Sequence, residues 1–302
     1  MITKLSLNGI VNKNSMSLLG AGELFTTGNV YYVDSGAGSN DNVGTDPAFP
    51  KATLDGAINA CTANNGDTIV LMPGHAESII AAAGADFDIA GIKVVGLGTG
   101  TDRPTITFTT ATTADIDFDA ANIHIENVVF INDIDALAAP LDVNAANVSF
   151  VNCEFRDDTA AKQTVRWILA DANGDYLKVY NSINKGSDTA GAIAFITLTG
   201  SDHVELVGNS SHGDFSAANI QVLTTAVTDV LISGNHLENA NAVNVNIEGV
   251  AASTGWVSNN SCRIATDTIT TWINIPGAMS LFENYGVNNA GETGKLIGVV
   301  SV

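Results

Sequence analysis

The chain has 302 residues, of which 45% are hydrophobic and only 15% charged, and 12 Lys+Arg against 32 Asp+Glu leave a formal charge of −20. That much apolar content excludes a disordered acidic tail. The scattered arginines, at 103, 156, 166 and 263, exclude a nucleic-acid binder, which must hold phosphates with clustered cations.

In chain order, residues 1–28 stand outside any repeat and read as an arm for docking, with apolar positions Leu5, Leu7, Ile10, Val11, Leu18, Leu19 and Phe25. This stretch lacks the pattern of an export leader, and no apolar run approaches the roughly 20 residues that span a bilayer. The expectation is a chain made in a cytoplasm, with no membrane partner. At 53–64 a short capping helix is expected: Thr53 is the N-cap, Leu54, Ala57, Ile58 and Cys61 share one face, and Asn64-Asn65-Gly66 stops it.

Short apolar runs follow at 67–74 and 92–98, and then a motif recurs. IHIENVVF (123–130), VSFVNCEF (148–155), LKVYNSIN (177–184), VELVGNSS (204–211), VLISGNHL (230–237), GWVSNNSC (255–262) and MSLFENYG (279–286) each place an Asn after an alternating stretch. These are Asn127, Asn152, Asn181, Asn209, Asn235, Asn260 and Asn284, with gaps of 25, 29, 28, 26, 25 and 24 residues. Between them lies a second set of alternating runs, such as ADIDFDA (114–120) and PLDVNA (140–145). In the first, Ile116 and Phe118 face one way and Asp115, Asp117 and Asp119 the other.

A β-sandwich has no reason to repeat its sequence, whereas a solenoid stacks equivalent positions. The reading is an all-β, single-stranded, right-handed parallel β-helix over 29–290. About nine coils at about 4.8 Å each make a rod of roughly 40–45 Å. Asn at a stacked corner tolerates left-handed backbone and can pass an amide bond to the next Asn, so the seven are expected to form a ladder. The last stretch, 291–302, reads as a strand or subunit contact.

The stretch YYVDSGAGSNDNVGTDPAFPKATLDGAINACTANNGDTIVLMPGHAESI (31–79) resembles the opening of pectin-lyase-like β-helices, in which such a string forms the cap and first coil. With CTANNGDTIVLMPGHAE it is similar to β-helix proteins of tailed bacteriophages. The specific motif covers about 31–79; the architecture covers most of 29–290. The resemblance implies a tailspike, many of which cleave glycans, or a capsid decoration protein, both typically homotrimers.

A lyase needs carboxylates for calcium and a basic group for the proton α to the uronate. Glu154, Arg156, Asp157 and Arg166 form the catalytic candidate, with Lys162 and Lys178 nearby, but surface ion pairing is the favoured reading of that group. A uronate polymer should also be repelled by a surface of this charge. A glycosidase needs two carboxylates about 5–9 Å apart, yet aromatics, the usual sugar platform, are only 6% of residues. Trp167 and Trp272 read as core or subunit contacts. Five histidines (75, 124, 203, 212, 236) and three cysteines (61, 153, 262) show no ligand spacing, so neither metal nor cofactor is expected. The leading expectation is a non-enzymatic virion protein: a homotrimeric decoration or cement protein bound to the major capsid protein of a phage. The alternative is a phage tailspike or fibre with glycan-binding or depolymerase activity, its groove near 154–178.

Overall fold

The computed structural model describes residues 26–241, 245–265 and 271–288, together with a strand at Lys295–Leu296. The apolar arm residues from Leu5 to Phe25 lie outside the described residues.

Each period of about 25 residues folds into three strands separated by turns, and strands of successive periods pair in parallel. Among the described residues, sheet A stacks Val30–Val33, Thr68–Leu71, Lys93–Gly96, Ile123–Glu126, Val148–Val151, Lys178–Tyr180, Glu205–Val207, Val230–Ser233, Gly255–Ser258 and Met279–Phe282. Sheet B follows one turn later in every coil, from Ala76–Ile79 to Tyr285–Val287, and Lys295–Leu296 joins its end antiparallel. Sheet C runs from Ala85–Asp86 to Ile273–Asn274. The chain is thus an all-β parallel β-helix, with eight complete coils and the first two strands of a ninth among the described residues.

Alternation decides which side chains enter the interior. On sheet A, Ile69, Val94, Ile125, Phe150, Val179, Leu206, Ile232 and Val257 fall opposite one another rung after rung and are all buried. An aromatic cluster fills the middle coils. Phe155 stacks on Phe130 at 5.4 Å and meets Phe195 at 5.3 Å and Trp167 at 5.8 Å between ring centroids. Trp167 and Trp272 are both core residues.

The capping helix is shorter than the sequence suggests. It spans Leu54–Ile58, with Thr53 Oγ1 accepting from the Gly56 N–H at 3.0 Å. It stops early because Asn59 turns its side-chain amide back onto the Asp55 carbonyl (3.0 Å) and carboxylate (2.9 Å). Buried Asp67 ties this cap to the first coil, accepting from the N–H groups of Asn29 (2.6 Å) and Thr62 (2.7 Å).

The turn from sheet A to sheet B corrects the ladder expected from the sequence. Asn127, Asn152 and Asn181 occupy its left-handed position, with φ of 59°, 53° and 49°. Gly208, Gly234 and Asn259 hold that place in later coils, at φ of 71°, 66° and 56°. The following residue points inward, and there Asn209, Asn235, Asn260 and Asn284 form the ladder. Asn209 donates its backbone N–H (2.8 Å) and Nδ2 (3.1 Å) to Asn235 Oδ1. Asn235 does the same to Asn260 (3.0 and 2.9 Å), and Asn260 to Asn284 (3.0 and 2.9 Å). Ser182 and Cys153 precede them in this column, with Ser182 N–H donating to Asn209 Oδ1 at 3.0 Å. The seven Asn therefore serve two positions, one residue apart.

Candidate functional site

This turn delivers Glu154 to the start of the strand Glu154–Asp157 on sheet B. Because Phe155 points into the core, Glu154 and Arg156 fall on the outer side and Asp157 on the inner side. Glu154 is nonetheless buried, because cations cover it from three directions. Lys185 Nζ lies 2.7 Å from Oε1 and an Arg156 guanidinium nitrogen 3.6 Å from the same oxygen. Arg103 reaches Oε2 at 3.3 Å from two coils earlier. Its guanidinium also donates to the carbonyls of Asn152 (2.9 Å) and Val128 (3.4 Å), which fixes its direction. Three cations around one carboxylate leave a local surplus of positive charge.

Parallel register extends the site. Arg156, Lys185, His212, Glu238 and Arg263 are direct neighbours on successive strands of sheet B. Glu238 pairs with both Arg263 and His212, the latter at 3.4 Å.

The structure divides the candidate group from the sequence. Glu154 and Arg156 belong together. Asp157 instead accepts from Asn132 Nδ2 (3.1 Å), Thr164 Oγ1 (2.8 Å) and the N–H groups of Thr164 (3.1 Å) and Ser187 (2.9 Å), and so pins two turns. Burial pushes its carboxyl above the usual range despite these bonds. Arg166 lies on sheet C, with Nε buried and lacking a hydrogen-bond partner, and burial lowers its affinity for the proton. Lys162 pairs with Asp133 at 3.6 Å and Lys178 with Glu205 at 3.3 Å, both away from Glu154. Sequence reasoning missed Arg103 and Lys185. Lys185 had a signal: it follows Arg156 by 29 residues, the same step that separates Asn152 from Asn181.

The acidic residues concentrate elsewhere. Asp86, Asp117 and Asp142 stack on consecutive strands of sheet C, facing outward. Partial burial, and then the charges of neighbouring carboxylates, push Asp117 and Asp142 up to about 6. Among the described residues, no group of three or more His, Cys, Asp and Glu is arranged to hold a metal ion.

No protein-family model matches the chain, and no curated protein matches its sequence. Its architecture is similar to a solved pectate lyase, Pel9A, at a TM-score of 0.59 and 13% identity, over 91% of this chain and 74% of that one. The fold that the two share is the parallel β-helix. A rhamnogalacturonan lyase also aligns, at a TM-score of 0.46 and 11% identity, over 91% of this chain and 89% of that one. At these identities the likeness concerns the β-helix alone.

Proposed function

We propose that this β-helix binds an anionic polysaccharide along sheet B and cleaves it there. The carrying observation is the grouping of Arg103, Arg156 and Lys185 around the single carboxylate of Glu154. Net charge alone argues for repulsion of such a polymer, but the charge is segregated. The stacked aspartates sit on sheet C, and exposed charges are screened beyond about 8 Å at physiological ionic strength, so the field over sheet B follows the local cations. A linear polymer laid across the coils meets Arg156 and Lys185 and then His212 and Arg263, with Glu238 between the last two. Cations that neutralise a uronate carboxylate also stabilise the charge that develops there in β-elimination, in which water takes the proton from the adjacent C–H, the C–O bond to the next sugar breaks, and that sugar leaves as its protonated alcohol. That a solved structure sharing this fold is a pectate lyase supports an acidic glycan as ligand.

The test is retention on immobilised polygalacturonate compared with neutral dextran across a salt series, with ultraviolet absorbance of unsaturated chain ends as the readout for cleavage. Selective, salt-sensitive binding that weakens about tenfold for each of Arg103→Ala and Lys185→Ala is expected. Equal retention on both polymers overturns the reading.

A second reading rests on the last coils. Trp256 (66% exposed), Phe282 (63%) and Tyr285 (48%) gather there, with Trp256 and Phe282 on adjacent strands of sheet A. Exposed aromatics so close together favour contact between copies of this chain. They support self-association, and the assembly proposed on that basis is a homotrimeric virion part, either a tailspike or fibre carrying the glycan site or a decoration protein seated on the major capsid protein. Light scattering on the purified chain tests this; a monomer with or without Trp256→Ser counts against it.

A further inference from the structure

Sheet A carries a second constellation, independent of the cations on sheet B. Lys93, His124, Ser149 and Lys178 are direct neighbours on four consecutive strands, all facing outward. His124 Nδ1 lies 2.8 Å from Ser149 Oγ, and His124 Nε2 lies 3.5 Å from Glu126 Oε2. Glu126 also meets Lys93 Nζ at 3.5 Å. The hydrogen bond from His124, and then the charge of Lys93, outweigh partial burial and hold this carboxyl below its usual range. An ionised Glu126 accepts a hydrogen bond from Nε2–H and so favours the tautomer whose Nδ1 lone pair faces the Ser149 hydroxyl, which at rest also reaches the Ile123 carbonyl at 3.4 Å. Nucleophile, base and orienting carboxylate thus occur in the order that activates a serine. A depression of about 370 Å³ opens over Ser149 and His124, with Asn122, Asn147, Tyr176 and Lys178 in its lining.

We propose that Ser149, His124 and Glu126 form an acyl-transfer site that removes small acyl esters, of the size of O-acetyl, from a saccharide. Ser149 Oγ attacks the ester carbonyl carbon while its proton passes to His124 Nδ1. The bond from the acyl carbon to the sugar oxygen breaks, and that oxygen leaves with the proton from His124. Water, deprotonated by His124, then attacks the acyl-serine, releasing the carboxylic acid and restoring the Ser149 hydroxyl. Lys178, Ser149's neighbour on the next strand and ion-paired with Glu205 at 3.3 Å, supplies the positive charge on the side where the oxyanion forms. A shallow, open depression suits a small acyl group borne on a polymer. Only the saccharide half of this proposal rests on the glycan reading above.

The experiment treats the full chain with a fluorophosphonate probe and with p-nitrophenyl acetate, and maps the adduct by peptide mass. A single adduct on Ser149 is expected, together with ester hydrolysis that falls roughly a hundredfold in Ser149→Ala. Glu126→Gln should retain labelling but shift the rate–pH profile, which a merely structural carboxylate would not do. Ser149 is small and outward-facing, and matching melting curves for wild type and Ser149→Ala show that the fold persists. Absence of an adduct, an adduct elsewhere, or undiminished hydrolysis by Ser149→Ala overturns the acyl-transfer site. Acetate release from an O-acetylated polyuronate tests the saccharide half, and its absence beside intact Ser149 labelling overturns that half alone. Failure of the polymer to bind sheet B while Ser149 still labels overturns only the glycan reading.

Discussion

The aspartate stack on sheet C makes a prediction whose sign runs against common expectation for an acidic protein. Asp86, Asp117 and Asp142 face outward on adjacent strands, with Asp115 and Asp119 adding to the repulsion at Asp117. Burial and these neighbours raise Asp117 and Asp142 from 3.8 to about 6. A carboxyl raised in the folded state costs stability when ionised. The cost is full above about pH 6 and disappears as pH falls toward the unfolded value. At about 1.36 kcal/mol per unit, the ceiling is about 3 kcal/mol for each group. Both groups keep contact with solvent and share one mutual repulsion, so about 1–2 kcal/mol for the pair is the working figure. Glu126 and Glu205 are shifted downward and act oppositely, but only below their ordinary range. Between pH 8 and pH 5 the aspartates therefore govern the trend. Melting followed by circular dichroism should show Asp117→Asn raising Tm by about 2–4 °C at pH 8, with the gain vanishing near pH 4.5. A gain independent of pH, or a loss at pH 8, would refute the argument.

Four further outcomes follow from the corner turns and the interior. Asn235→Ala removes an acceptor shared by two donors of Asn209 and should cost about 2–4 kcal/mol in urea titration, whereas Asn152→Gly, at a left-handed turn position, should cost under about 1 kcal/mol. Phe155→Ala, at the centre of the aromatic cluster, should cost about 3–5 kcal/mol by the same measure. Cys153 and Cys262 are buried thiols pushed up to about 12, so native protein at pH 8 should resist iodoacetamide and the urea-unfolded chain should react at both.

The architecture was legible because a solenoid writes its period into the chain. Ile125, Phe150 and Val179 fall opposite one another only if the spacing repeats. The ladder was half legible: Gly-Asn and Asn-Asn pairs leave the register open by one residue, and only backbone geometry separates the left-handed Asn152 from the inward Asn209. Asp157 was misplaced as a surface acid although Phe155, two positions earlier, already marked its face as the inner one. Arg103 could not be assigned to Glu154 from spacing. It reaches across 51 residues of sequence from an irregular turn, where no periodicity applies.

The inward corner column changes character along the rod. Its early positions are Cys153 and Ser182 beside interlocked aromatics, and its later ones are four asparagines in unbroken relay. The two halves should answer differently to a change in the number of coils. The relay is translationally uniform: an added coil presents the acceptor that the coil below needs and the donors that the coil above expects. Duplicating one period between 209 and 260 should lengthen the rod by about 4.8 Å and leave a folded protein. The aromatic half has no such interchangeable unit, because Phe130, Phe155 and Phe195 each fill space shaped by a different neighbour, so a coil copied there meets the wrong rings. Evolution of length in this molecule is thereby channelled toward its C-terminal half.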